Sequence, residues 1–231
     1  SSSSEWEQLG DTIEGIGIES ERNSLSADGS ILAQGNSRYS EGGNQSIGNV
    51  VVYKWDGSSW NQLGNTMKGE EVNRQLFGSC VELSSDGSTL AVTYFPLGLP
   101  DNFYDNLDDP RNDRYIKTFK WDGSSWNQTG IIMGDHFWFA ESSINLSSDG
   151  SILATSKAGF PSNPDGGAAY VYKWDGTSWN QLGNTINEEN KGDGFGNSTS
   201  LSSDGSILAV GALYYNEESG AAYVYKWDGS S

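Results

Sequence analysis

Basic residues, cysteine pairs, long apolar runs and helical periodicity are all scarce or missing from this sequence, and each absence closes a class of explanation. Only 13 Lys and Arg stand against 31 Asp and Glu, a net charge of −18, so the clustered positive charge needed to neutralise a nucleic-acid backbone is not available and no nucleic-acid partner is expected. One cysteine, Cys80, excludes an internal disulfide. No apolar run approaches the ~20 residues that span a bilayer, and no signal peptide is visible. Because the sequence does not open on Met, a processed protein or a fragment is expected. A single histidine, His136, leaves neither a multi-His metal site nor a recognisable nucleophile motif for a triad. Pro is rare, at 5 residues, whereas Gly numbers 30 and punctuates many short segments.

What is present is one stretch, YVYKWDGTSWNQLG at residues 170–183, repeated with small changes along the whole chain. Alternating aromatic and β-branched residues run into Asp-Gly, and a second Trp opens the returning strand, which is the signature of a β-hairpin. A second recurrent turn, Leu-Ser-x-Asp-Gly-Ser, centres on Asp28, Asp86, Asp149 and Asp204. Aligning on it gives units of roughly 53 to 66 residues, a period that signals propellers or solenoids. Each unit supplies four strands, hence one blade. The predicted fold is an all-β propeller forming a single domain over residues 1–231, with units at 14–67, 68–133, 134–186 and 187–231, the last completed by 1–13.

Within each unit the first strand keeps Leu25, Leu83, Leu146 or Leu201 on one face, joined by Val81, Ile144 and Thr199. Cys80, Ser143 and Ser198 share a position on the other face, so Cys80 reads as a packing residue; as a reactive thiol it would lack a neighbouring His or Lys. The second strand is a short continuous apolar run, as in residues 207–211, expected to be buried on both faces. Trp55 and Trp60, Trp121 and Trp126, and Trp174 and Trp179 pair across the hairpins. The last residues, 227–231, complete a third strand and its turn, and residues 6–10 match the fourth strand of the other units. Pairing of residues 6–13 with residues 223–227 is therefore expected to close a four-blade ring, since a bare third strand is an open edge. The same phase would let copies join head to tail.

Phe195-Gly196, Leu208-Ala209-Val210-Gly211-Ala212 and residues 220–225 follow the order of an FG-GAP repeat, and Phe77-Gly78 with Ala91-Val92 keep part of it. The chain thus resembles the FG-GAP repeats of integrin α-like β-propellers, with WD-repeat blades the weaker match. That resemblance implies about seven blades and a calcium loop between the first two strands. Here each such loop is a tight Asp-Gly turn, so no cofactor is expected. Glu19-Ser20 and Ala140-Glu141 stand where the first and third units should carry Phe-Gly.

Two irregular stretches are the candidate sites. The insertion at residues 95–114 carries Asp101, Asp105, Asp108, Asp109 and Asp113, carboxylates that suit Ca²⁺ without matching an ordered calcium loop, or equally a solvated acidic loop balanced by Arg111 and Arg114. Phe103 and Tyr104 in it, with His136, Phe137 and Trp138, are candidate binding residues for a protein or glycan, the latter cluster alternatively replacing a Phe-Gly packing contact. Asn44, Asn127 and Asn197 open glycosylation sequons; Asn145 does too but lies in an inner strand. Taken together, these readings predict a non-catalytic, secreted or cell-surface adhesive module, a glycoprotein acting through protein–protein contacts. A carbohydrate-binding propeller is the alternative, and a fragment of a propeller enzyme the second.

Overall fold

The computed structural model describes residues 6–14, 22–42, 46–69, 76–94, 115–134, 143–159 and 166–229. Four antiparallel sheets follow one another along the chain. The first holds β1 (Arg22–Leu25), β2 (Ile31–Asn36), β3 (Asn49–Trp55), β4 (Trp60–Gln62) and β5 (Met67–Lys68). The second holds β6 (Val81–Leu83), β7 (Thr89–Tyr94), β8 (Tyr115–Trp121) and β9 (Trp126–Met133). The third holds β10 (Ile144–Leu146), β11 (Ile152–Lys157), β12 (Ala168–Trp174), β13 (Trp179–Gln181) and β14 (Ile186–Asn187). The fourth holds β15 (Phe195–Leu201), β16 (Ile207–Ala212) and β17 (Ala221–Lys226), with one helical turn, α1 (Tyr215–Glu218), preceding β17. The fold is an all-β stack of propeller blades.

No blade has a core of its own. Ala33, Val50, Val52 and Met67 of the first blade pack on Phe77, Val81, Leu90 and Val92 of the second. Ala91, Ile116 and Ile132 of the second face Ile144, Leu146 and Leu153 of the third. Ala154 and Ala169 of the third meet Phe195, Leu208 and Val210 of the fourth. The central strands of the inner blades, β7 and β11, are consequently buried at every position. The outer faces of the first and fourth blades are less covered by the described residues: Leu25 is 56 % exposed where its equivalent Leu83 is 4 % exposed, and Val224 on β17 is 69 % exposed.

Phe77-Gly78 and Phe195-Gly196 are the wedges between blades. Both phenylalanines are buried. Gly196, at φ 84°, lies so close to the Lys157 and Ala168 carbonyls that a Cβ would sit 2.3 Å from the former. Only Gly tolerates both the conformation and the approach.

The expected fourth strand is split in the first and third blades. In the first, β4 pairs with one end of β3 and β5 with the other, while Leu63-Gly64 leave the sheet at Gly64 (φ 79°). This corner packs on the next blade: a Cβ on Gly64 would meet the Trp121 ring at 2.5 Å. The indole N–H of Trp126 donates to the Leu63 carbonyl at 3.1 Å, and the Trp126 backbone N–H donates to Asn65 Oδ1 at 2.9 Å. In the second blade Thr129 replaces that Leu, β9 runs unbroken past a bulge opposite Thr118, and the Trp179 indole donates to the Thr118 hydroxyl instead.

The ring closure expected from the sequence is not formed. Among the described residues β17 pairs only with β16, and Trp6 is fully exposed. Residues 6–14 form no strand and turn forward onto their own first blade, because the Trp60 indole donates to the Leu9 carbonyl at 3.0 Å and Gly10 lies against the Trp55 ring.

Seven turn carboxylates are consumed locally. Asp28 Oδ1 accepts from the Ser26 hydroxyl at 2.7 Å and the Ser30 N–H at 2.9 Å, which holds its pKa down at about 2. Ser202 and Ser206 do the same to Asp204, also about 2. Ser147 and Ser151 lower Asp149. At Asp86 burial acts upward but is outweighed by Ser84 and Ser88. In the Trp hairpins, backbone N–H groups of Ser59 and Ser58, Ser125 and Ser124, and Ser178 and Thr177 depress Asp56, Asp122 and Asp175.

Two consequences are measurable. Trp126 is buried and its indole hydrogen-bonded across blades, whereas Trp60 is half-buried. Trp126→Ala should therefore cost about 3–5 kcal/mol and Trp60→Ala clearly less, in urea denaturation; equal losses would contradict the assigned joint. The depressed aspartates contribute stability that is complete above their unfolded pKa, about 3.9, and is lost as pH falls through the folded values. Glu82, raised by burial, works in the opposite sense just above its ordinary value. The melting temperature should accordingly drop steeply below about pH 4, and the double replacement Asp28→Ala with Asp204→Ala should make that acid fall shallower.

Candidate functional site at the open edge of the fourth blade

Most of the sequence-derived candidates, His136, Phe137, Trp138, Phe103, Tyr104, the five aspartates of the insertion and Asn44, lie outside the described residues. Asn127 is exposed on β9, but its amide nitrogen donates to Asp122 Oδ2 at 2.7 Å and to the Ser125 hydroxyl at 3.2 Å, so it serves the turn. Asn197 is half-buried at the bulge of β15. Among the described residues no group of three acidic, His or Cys side chains is placed to hold a metal ion. Cys80 packs against the apolar cluster between the second and third blades, and that burial pushes its thiol pKa up, which disfavours the nucleophilic thiolate.

The Trp pairs do not form open stacking platforms. Their rings lie on each other at centroid distances of 5.5, 5.6 and 5.6 Å, tilted by about 50°. The Trp60, Trp126 and Trp179 indole N–H groups are all committed within the protein.

The feature that sequence reading anticipated only as an end is a groove of ≈ 490 Å³ beside β17. Leu182, Gly183 and Asn184 of the third blade form one wall, and Tyr225, Lys226 and Trp227 form the other, with Leu208 and Ile186 among the floor residues. Gly183 (φ 74°) sits against the Trp227 ring as Gly64 sits against Trp121. The groove therefore has the walls that surround Trp126 in the second blade. Among the described residues β17 pairs with β16 on its other side.

No curated protein is matched by the sequence. Solved structures are. The chain is similar to the hydrazine synthase of Kuenenia stuttgartiensis (14 % identity, TM-score 0.52, 94 % of this chain and 49 % of that one). It is also similar to the β-propeller domain of the Trilobed protease from Pyrococcus furiosus, described as having an open velcro topology (13 %, TM-score 0.51, 90 % and 56 %). A third similar structure is the acylaminoacyl peptidase of Pyrococcus horikoshii (11 %, TM-score 0.53, 91 % and 31 %). The chain thus spans about half or less of the proteins it matches, and at these identities the likeness is one of fold. The expected extracellular adhesive module is corrected by these matches, whose named proteins are enzymes, two of them peptidases. That reading had carried function over from a repeat shared by many propellers. At the level of the repeat itself the sequence reading holds: residues 185–225, which run through most of the fourth blade of this β-propeller fold, match the FG-GAP repeat.

Proposed function

We propose that the chain is a propeller segment of a larger enzyme, itself without catalytic machinery, set beside a domain that hydrolyses peptides. The observation that carries this reading is the stack of four-stranded blades, similar to the β-propeller domain of the Trilobed protease and spanning 56 % of it. The chemistry of the chain supports a scaffold role. Seven of its turn carboxylates are saturated by their own hydroxyl and amide donors, and its one thiol is held toward the neutral form. A rigid wall of blades orients and screens what lies beside it, and the bond-breaking groups come from elsewhere.

The test is to isolate the natural assembly with an antibody against this chain and assay it on blocked peptide substrates. Hydrolysis that copurifies with the chain, and is missing from the 231-residue chain alone, is the expected result. An assembly containing no hydrolase, fused or bound, would overturn the proposal.

A further inference from the structure

We propose that the outer edge of the second blade is a self-association surface, on which β9 pairs antiparallel with β9 of a second copy of this chain about Ile132 and joins the two blades into one sheet. The inference goes beyond the enzymatic reading above and rests on no part of it.

β9 belongs to a blade that packs on the first blade with one face and on the third with the other, so its edge is the same whatever precedes or follows the stack. The first strands of successive blades lie beside one another, which leaves the fourth strand at the rim. Among the described residues β9 pairs with β8 alone. Native sheets blunt such an edge with short strands, charge, proline or a covering segment. The first and third blades use the first device: their fourth strands are cut into pieces of 3 and 2 residues. β9 runs for 8 residues and holds no ionisable side chain and no proline. Its bulge, opposite Thr118, leaves the half from Gly130 to Met133 in regular register with β8.

That half is also where apolar surface is left uncovered. Ile131 is 41 % and Met133 66 % exposed, and they are the only exposed large apolar side chains among the described residues of the second and third blades. Successive residues of a strand alternate between faces, so both project to the same side of the sheet. Lys117 and Tyr115 stand opposite them on β8.

The sequence of this half names its partner. Gly130-Ile131-Ile132-Met133-Gly134 reads nearly the same in both directions, and an antiparallel pair of identical strands brings residues equidistant from its centre face to face. Pairing about Ile132 therefore sets Ile131 against the second copy's Met133, Met133 against its Ile131, and Gly130 against its Gly134. Each exposed apolar side chain then meets another on the same face, a favourable cross-strand pair. The glycines keep both ends of the ladder clear of side chains. Charge points the same way. Two copies at −18 each repel, an uncharged strand is where they can approach, and a basic peptide would find no carboxylate on it.

Pairing over so short a strip stays below the about 1,200 Å² of a standard interface, so a reversible dimer is expected, and it should tighten with salt as repulsion is screened. Sedimentation equilibrium at high salt should show twice the 25.0 kDa mass of the chain. Ile131→Lys combined with Met133→Lys should weaken dimerisation about 30-fold or more by setting like charges opposite each other. The melting temperature of the monomer should not change, because both side chains are exposed. The register is read in a Cys80→Ser background, Ser being the residue at the equivalent Ser143 and Ser198. A chain carrying Ile131→Cys and one carrying Met133→Cys should form an interchain disulfide when mixed and oxidised, and neither should do so alone. A strict monomer up to about 1 mM, a dimer unaffected by the double replacement, cross-linking by either variant alone, no cross-link in the mixture, or a β9 edge occupied in the natural protein by another segment or another protein would each overturn the proposal. None of these outcomes bears on whether a peptidase accompanies the chain.

Discussion

A sheet that is apolar on both faces has no stable place except between two others, and everything in this protein follows from that constraint. The three apolar clusters lie between blades rather than within them. Burial is therefore a nearest-neighbour quantity, as in solenoids. An inner blade buries both faces and an end blade only one, which is why β7 is buried throughout while β17 alternates. Leu25 and Val224, at positions equivalent to core ones, are exposed because no described blade faces them.

Each blade is fastened to the next by polar joints placed around that apolar contact. The Trp126 indole reaches back to the corner of the preceding blade, and the Ser-x-Asp-Gly turns pass backbone hydrogen bonds onward. These bonds saturate groups that the splitting of the fourth strand would otherwise leave unpaired. Where Thr129 takes the place of Leu63, the fourth strand no longer splits, and the joint moves to the Thr118 hydroxyl without loosening. The conserved element is the seat for an indole rather than the identity of the acceptor.

The hairpins, their Trp pairs and the central strands were legible in the sequence because period-two alternation and Asp-Gly turns are local signals. Val81, Leu83, Ile144 and Leu146 are buried where the pattern placed them. What was not legible is the partner each face meets. Trp6 to Gly10 reads identically whether its neighbour is β17 or its own first blade, and the register alone favoured closure. The deciding bond, from the Trp60 indole to the Leu9 carbonyl, is made 51 residues away by a side chain whose hairpin role had already explained it. Equally, the Phe-Gly pair correctly marked a repeat, and its physics, a ring wedged between blades beside a Gly pressed on backbone, concerns packing. It carries no information about what the propeller serves, so the step from repeat to adhesion had no physical support.

The acidity of the chain is best understood through the same turns. Asp is used at each tight connection because its two oxygens can accept from several donors within about five residues, which no neutral side chain of that size does as well. Asp56 alone accepts from Ser58, Ser59 and Asn61. A turn recurring twice per blade therefore accumulates negative charge with the number of blades, whatever the protein binds. That charge remains a long-range cost, since hydrogen bonding satisfies the oxygens without removing the field they project into solvent. Blades within one chain bear it because covalent connection fixes their proximity. Any surface that meets the stack from outside must overcome that field locally.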